Sequence, residues 1–139
     1  MTDTAQADTP SRVDRPRSAW QVLVVDDDSF QLELMTGVLS GLGVRDVTTA
    51  SSGAAALDQL GAFPQRYNLI LLDLHMPGMD GFRFMEALAG AGFAGALIIV
   101  SGQSDAVLHA ASLVAKLRRF SLLGSVSKPV GSAALSALI

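Results

Sequence analysis

The sequence predicts a doubly wound α/β domain built on a five-stranded parallel sheet with helices on both faces. Two observations predict it. Five short apolar runs alternate with five stretches of helical periodicity along the chain. Three of those runs, Val22–Val25 (VLVV), Leu69–Leu72 (LILL) and Leu97–Val100 (LIIV), are apolar at every position. Continuous apolar strands are buried on both faces, which requires helices on each side of the sheet and right-handed crossovers between strands.

The elements follow in order. After the first strand, Phe30, Leu34, Met35, Val38, Leu39 and Leu42 mark one face of a helix over Ser29–Leu42, with Ser29 placed to cap its start and Gly41 and Gly43 to end it. Val44–Ala50 (VRDVTTA) is a more polar strand suited to a sheet edge, and Ser52–Phe63 is an Ala/Leu helix stopped by Pro64. Beyond the third strand comes a turn-rich loop, His75–Gly81 (HMPGMDG), then a helix over Phe82–Ala91 with Phe82, Met85 and Leu88 on one face. The fourth strand leads into a long helix over Ser104–Phe120. Ser104 and Asp105 open it and Lys116, Arg118 and Arg119 close it, the charge order that the helix dipole favours. Leu122–Ser127 is the fifth strand, broken by Gly124. Gly131–Ile139 opens a last helix that is either very short or part of something longer.

Composition narrows the function. The 139 residues are 50% hydrophobic and 17% charged, enough for one domain with a sizeable core. Residues 1–19 differ: polar, with Pro and Arg and a lone Val13, they form a flexible leader ahead of a domain over 20–139. Arg12, Arg15 and Arg17 in the leader suit a solvated tail better than an acidic partner. Zero cysteines exclude a disulfide scaffold, a thiol nucleophile and a cysteine-ligated metal. A net charge of −3 with no basic stripe gives no nucleic-acid surface. No run approaches the roughly eighteen apolar residues that span a bilayer, and Met1–Arg17 lacks the apolar centre of a signal peptide. The expected setting is cytoplasmic, without membrane contact. Nor is there a glycine-rich phosphate loop, so a nucleotide is not expected.

The chemistry lies at the strand ends. Asp26, Asp27 and Asp28 follow the first strand, Asp73 the third, Ser101 the fourth, and Lys128 and Pro129 the fifth. In an open parallel sheet all these ends lie along one ligand-binding edge. Clustered carboxylates repel, and Mg²⁺, a hard cation taking oxygen ligands, resolves the repulsion. A hydroxyl and an ammonium beside them suit a phosphoryl group. The set points to phosphoryl transfer to or from an aspartate, with Asp73, alone on the middle strand, as acceptor. Each residue has an ordinary alternative. Asp27 and Asp28 serve equally as helix N-terminal charges, Asp73 as a turn residue, Ser101 as a polar strand end and Lys128 as a solvated lysine. Their joint placement at ordered strand ends favours the functional assignment for all but Asp28. His109, within a helix, gets no role, and Met76, Met79 and Met85 are better placed for packing than as ligands.

VLVVDDDSF, LILLDLHMPGMDG, LIIVSGQ and SVSKPV, in that order, resemble the receiver domain of bacterial two-component response regulators over residues 20–139. The resemblance implies a flavodoxin-like strand order, 2-1-3-4-5, and makes Asp73 the phosphoacceptor. It implies Mg²⁺ held by Asp27 directly, by Asp26 partly through water, by Asp73 and by the backbone carbonyl of His75. It gives Ser101 and Lys128 to the phosphoryl oxygens, and a cis peptide to Lys128–Pro129. The implied partners are a sensor histidine kinase or phosphotransfer protein and an output domain, with homodimerisation through the fourth-helix, fifth-strand and fifth-helix face a family habit. The domain would catalyse only its own phosphorylation and dephosphorylation.

Two features depart from the family pattern. Twenty-seven positions separate Ser101 from Lys128, more than is usual; the extra length resembles receivers that precede EAL-type cyclic-di-GMP phosphodiesterase domains. And Ser125 stands three positions before the lysine, where the family carries a switch aromatic. The sequence leaves two rivals. One is a pseudo-receiver that binds without being phosphorylated. The other is an aspartate-nucleophile phosphatase, which would want a second Asp where His75 stands.

Overall fold

The computed structural model describes residues 16–63, 65–74, 81–101, 109, 114 and 120–139. Strands β1 (Gln21–Val25), β2 (Asp46–Ala50), β3 (Leu69–Asp73), β4 (Ala96–Ser101) and β5 (Ser121–Ser127) form one sheet in the order β2-β1-β3-β4-β5. Every pairing is parallel. Helices α1 (Ser29–Gly41), α2 (Gly53–Ala62), α3 (Gly81–Gly90) and the short α4 (Ser132–Ser136) pack around the sheet.

The sheet separates two apolar layers. Leu23, Val25, Ile70, Leu72, Leu97 and Ile99 point to one side, where Ala56 and Leu60 of α2 and Phe84, Met85 and Leu88 of α3 cover them. Val22, Val24, Leu69, Leu71, Ile98 and Val100 point to the other, under Leu32, Met35 and Leu39 of α1 and Leu135 of α4. All twelve strand side chains are fully buried, which is why β1, β3 and β4 read as unbroken apolar runs. Edge strand β2 is only partly buried, matching its polar sequence, and it begins at Asp46, later than Val44. Val44 is instead a buried residue of the turn that leaves α1.

Other details of the elements differ from expectation. The cap of α1 is Asp28, not Ser29: its side chain accepts from the Phe30 amide at 2.9 Å. The buried stripe of α1 runs through Leu32, Met35 and Leu39, and Phe30 is 66% exposed. At about 100° per residue, Phe30 lies on the side of the helix opposite that stripe, so its hydrophobicity misleads. Helix α2 starts one residue later than the sequence suggests, with Ser52 as its N-cap accepting from the Ala55 amide at 3.0 Å. Phe120 itself is not helical; it is buried ahead of β5, its ring 6.1 Å from that of Phe93. His109 and Val114 are helical, while the rest of the expected Ser104–Phe120 helix lies outside the described residues, as do Pro64 and the His75–Asp80 part of the loop. The last helix is short, five residues.

At the N-terminal boundary, Arg17–Ala19 form a single 3-10 turn and Trp20 is buried. The Arg17 guanidinium donates to the Ser136 hydroxyl at 2.8 Å and to the Ser136 carbonyl at 3.3 Å, tying this turn to α4. Residues 1–15 of the expected leader, with Arg12 and Arg15, lie outside the described residues.

Two glycines are set by contact or conformation. Gly124 has φ of 153° and sits at a β-bulge: Leu97 pairs with Leu122 but Ile98 pairs with Gly124, so Leu123 is the extra residue. Gly81 opens α3 and its amide donates to the Leu74 carbonyl at 2.9 Å. A Cβ on Gly81 would lie 2.8 Å from the Leu74 Cα. Gly81→Ala is therefore expected to cost about 1–3 kcal/mol of unfolding free energy by urea titration, since backbone must shift to admit the methyl group. An unchanged midpoint would show that Leu74 yields freely.

Candidate functional site

The parallel sheet brings its strand ends to one edge, and the acidic residues arrive there with them. Asp26 follows β1 directly; its amide donates to the Ala50 carbonyl of β2 at 3.2 Å, which fixes its backbone to the sheet. Asp73 is the last residue of β3, paired with Val100 of β4. Both side chains are buried, Asp26 completely and Asp73 with 3% exposure, while neighbouring Asp27 is exposed. One carboxylate oxygen from each of Asp26, Asp27 and Asp73 lies within 4.8 Å of the others.

Lys128 enters this group from the end of β5, next to a cis peptide bond to Pro129. Its Nζ is 2.8 Å from Asp26 Oδ2 and 3.4 Å from Asp73 Oδ2. Partial burial alone would lower the Lys128 pKa. The hydrogen bond to Asp26 and the charges of Asp73 and Asp26 outweigh that, and hold the ammonium above its ordinary 10.5. The second Asp26 oxygen, Oδ1, accepts from the Asp28 amide at 2.9 Å. The buried Asp26 carboxylate is thus held at both oxygens.

Among the described residues, three carboxylates and one ammonium meet at the edge of an apolar core. All three donors are hard oxygens, and the exposed Asp27 gives a solvated ion a way in. This donor set fits Mg²⁺, which keeps several waters and takes one or two carboxylates. It is an acidic cluster of the kind at which receiver domains generally bind Mg²⁺.

Of the residues singled out from sequence, the structure brings together Asp26, Asp27, Asp73 and Lys128. Ser101 ends β4 opposite Ser127, at the same edge of the sheet. His75 lies outside the described residues. Ser125 is exposed on β5, opposite Ile99. Sequence reasoning did not assign Asp28 to this site, yet its amide holds Asp26. The signal was present: a short acidic side chain immediately before a helix is a preferred N-cap, and a capped turn aims its amides inward.

A five-stranded parallel sheet in the order 2-1-3-4-5, with carboxylates and a lysine gathered at its strand ends, is the flavodoxin-like architecture of receiver domains. Residues 22–139 match the response regulator receiver domain family, and the chain belongs to it. Its curated relatives span bacteria and plants. It is 35% identical over 86 residues to protein-glutamate methylesterase/protein-glutamine glutaminase 5 of Myxococcus xanthus, covering 61% of this chain and 24% of that one. It is 43% identical over 67 residues to two-component response regulator ORR21 of Oryza sativa subsp. indica, covering 48% of this chain and 9% of that one. The matched region is thus less than a quarter of the length of either relative. Among solved structures, a response regulator receiver domain protein from Clostridium thermocellum superposes with a TM-score of 0.72 at 27% identity, over 86% of this chain and 90% of the other. The CheX–CheY–BeF3–Mg complex from Borrelia burgdorferi gives a TM-score of 0.74 at 20% identity, over 86% of this chain and 85% of the other, a likeness of fold.

The ion pairs of Lys128 make a pH-dependent contribution to stability. Because the folded-state pKa is raised, that contribution is full below the unfolded value of 10.5 and is lost as pH climbs through the folded value. In chelator-containing buffer, the gap in urea midpoint between wild type and Lys128→Met should hold from about pH 8 to about pH 10 and narrow above that. A gap that widens at high pH would contradict the pairing.

Proposed function

We propose that the domain is a phospho-accepting switch of a two-component phosphorelay, in which Asp73 takes a phosphoryl group from the phosphohistidine of a sensor kinase or phosphotransfer protein. The observation that carries this is the position of Asp73: a buried carboxylate at the end of the central strand, sharing one lysine with Asp26. An Asp73 carboxylate oxygen attacks phosphorus in line. The new bond is O–P, the bond that breaks is N–P of the phosphohistidine, and the imidazole leaves with the electron pair and takes up a proton. Hydrolysis of the acyl phosphate by water returns the carboxylate and inorganic phosphate.

Asp26, Asp27, Asp73 and the backbone carbonyl of His75 are the groups that would hold Mg²⁺, which when bound would offset charge on the phosphoryl oxygens. Lys128, already 3.4 Å from Asp73 Oδ2, supplies a second positive charge. Ser101, at the end of β4, donates its hydroxyl to a phosphoryl oxygen. The aspartyl phosphate adds roughly one to two negative charges to an anionic edge, which is the event the rest of the domain reads. The CheX–CheY–BeF3–Mg complex supports this assignment, because there a protein of the same fold is found in complex with Mg and with BeF3, a mimic of the phosphoryl group.

With Ser125 in place of an aromatic, no large apolar side chain is available at that position to swing between two packings. The signal runs instead through the β4–β5 connection to an output domain or partner. Cyclic-di-GMP handling is the output class that this long connection resembles. The domain is regulatory, works in the cytoplasm, and turns over no external metabolite. No helix among the described residues is long and apolar enough to cross a membrane. Retention of both metal carboxylates, Asp73, Ser101 and Lys128 favours this function over a pseudo-receiver. His75, standing where a phosphatase would need its general acid, favours it over hydrolysis of external phosphate esters.

Acetyl phosphate with Mg²⁺ should add one phosphoryl group to the chain by intact mass, and hydroxylamine should remove it. Asp73→Asn should abolish the gain while leaving the circular dichroism spectrum unchanged. Labelling that persists in this variant would take the acceptor role from Asp73.

A further inference from the structure

Asp28 is the one member of the acidic triplet whose carboxylate does not join the cluster of Asp26, Asp27 and Asp73. It is exposed, with extended backbone (φ −96°, ψ 112°), and three contacts pass through it. Its amide donates to Asp26 Oδ1 at 2.9 Å. Its side chain accepts from the Phe30 amide at 2.9 Å, and its carbonyl accepts from the Leu32 amide at 3.0 Å, the first turn of α1.

We propose that Asp28 is a positioning residue for the acidic site: by capping α1 it aims its own amide at Asp26 and so sets the orientation of the buried carboxylate. Asp26 has no freedom to choose otherwise. With Oδ1 engaged by Asp28, Oδ2 is the oxygen left to face Lys128 at 2.8 Å. Asp27 stands between the two anchored residues, so the same cap fixes the backbone that presents its exposed carboxylate. Groups that orient a metal ligand from behind contribute about ten- to a hundredfold to metal affinity. The mechanism is geometric: it needs a short acceptor at the cap and does not need its charge. Asparagine caps helices as well as aspartate does, and alanine does not.

This inference deepens the phosphorelay assignment, and it is tested with a readout independent of labelling. Mg²⁺ is titrated calorimetrically into wild type, Asp28→Asn and Asp28→Ala. In parallel, the rate of labelling by acetyl phosphate is followed against Mg²⁺ concentration. Asp28→Ala should weaken Mg²⁺ binding about tenfold and shift half-maximal labelling by the same factor, with the rate at saturating Mg²⁺ within about twofold. Asp28→Asn should recover most of the loss in both measurements. Equal weakening in both variants would assign the effect to charge and overturn the proposal. Unchanged affinity in Asp28→Ala, with only a lower melting temperature, would reduce Asp28 to a helix cap and overturn it too. If the wild type binds Mg²⁺ and the variants follow the expected pattern, but no chain is labelled, the positioning role stands and the phosphoacceptor assignment falls.

Discussion

The contact on which the rest of this structure depends is the one between the Lys128 ammonium and the buried carboxylates of Asp26 and Asp73. Two carboxylates enclosed at the edge of an apolar core repel each other. One ammonium within hydrogen-bond reach of both lets them stay where the strands place them. Among the described residues the cluster carries more carboxylates than ammonium groups, the kind of oxygen-donor set that suits a divalent cation.

Holding charged groups this close takes a rigid frame, and the sheet provides one. The strands carrying Asp26 and Asp73 are central neighbours, with Val22–Val25 in register with Leu69–Leu72 and every one of those side chains buried. Close-packed interiors deform little, so the relative positions of the two carboxylates are fixed by packing far from them. Helices α1 and α3 then begin at or beyond the functional edge, so their N-termini stand beside it. Asp28 at the start of α1 and Gly81 at the start of α3 are therefore both part of how the edge is shaped.

Much of this was legible in the residues. VLVV, LILL and LIIV announced the inner strands because double-faced burial leaves no room for polar positions. The order of Asp26, Asp27, Asp73 and Lys128 at strand ends announced the cluster because parallel strands share one carboxyl edge. What escaped notice was information that periodicity does not hold. Phe30 fits an apolar pattern by composition, but its angular position on α1 depends on where the sheet lies, which the local sequence does not state. Asp28 reads as a helix N-terminal charge with Ser29 as the cap, whereas Asp28 itself caps α1 and its amide reaches Asp26, a contact that the local pattern does not hold. Phe120 reads as the end of a helix, yet a partner aromatic, Phe93, draws it into the core ahead of β5. In each case a tertiary neighbour settled what the local pattern left open.

The bulge in β5 bears on how this chain accommodates its long excursion between the fourth and fifth strands. Seven residues of β5 meet only six positions of β4, because Leu123 takes up one residue before Gly124 resumes the ladder. A strand without that slack would set Val126 opposite Ser101, where the ladder now places Ser127, and would reverse which side of the sheet each later residue faces. The irregularity therefore sets the phase of the strand's second half: Val126 is buried and Ser127 lies opposite Ser101, and Lys128 leaves the strand end beside Asp26 and Asp73.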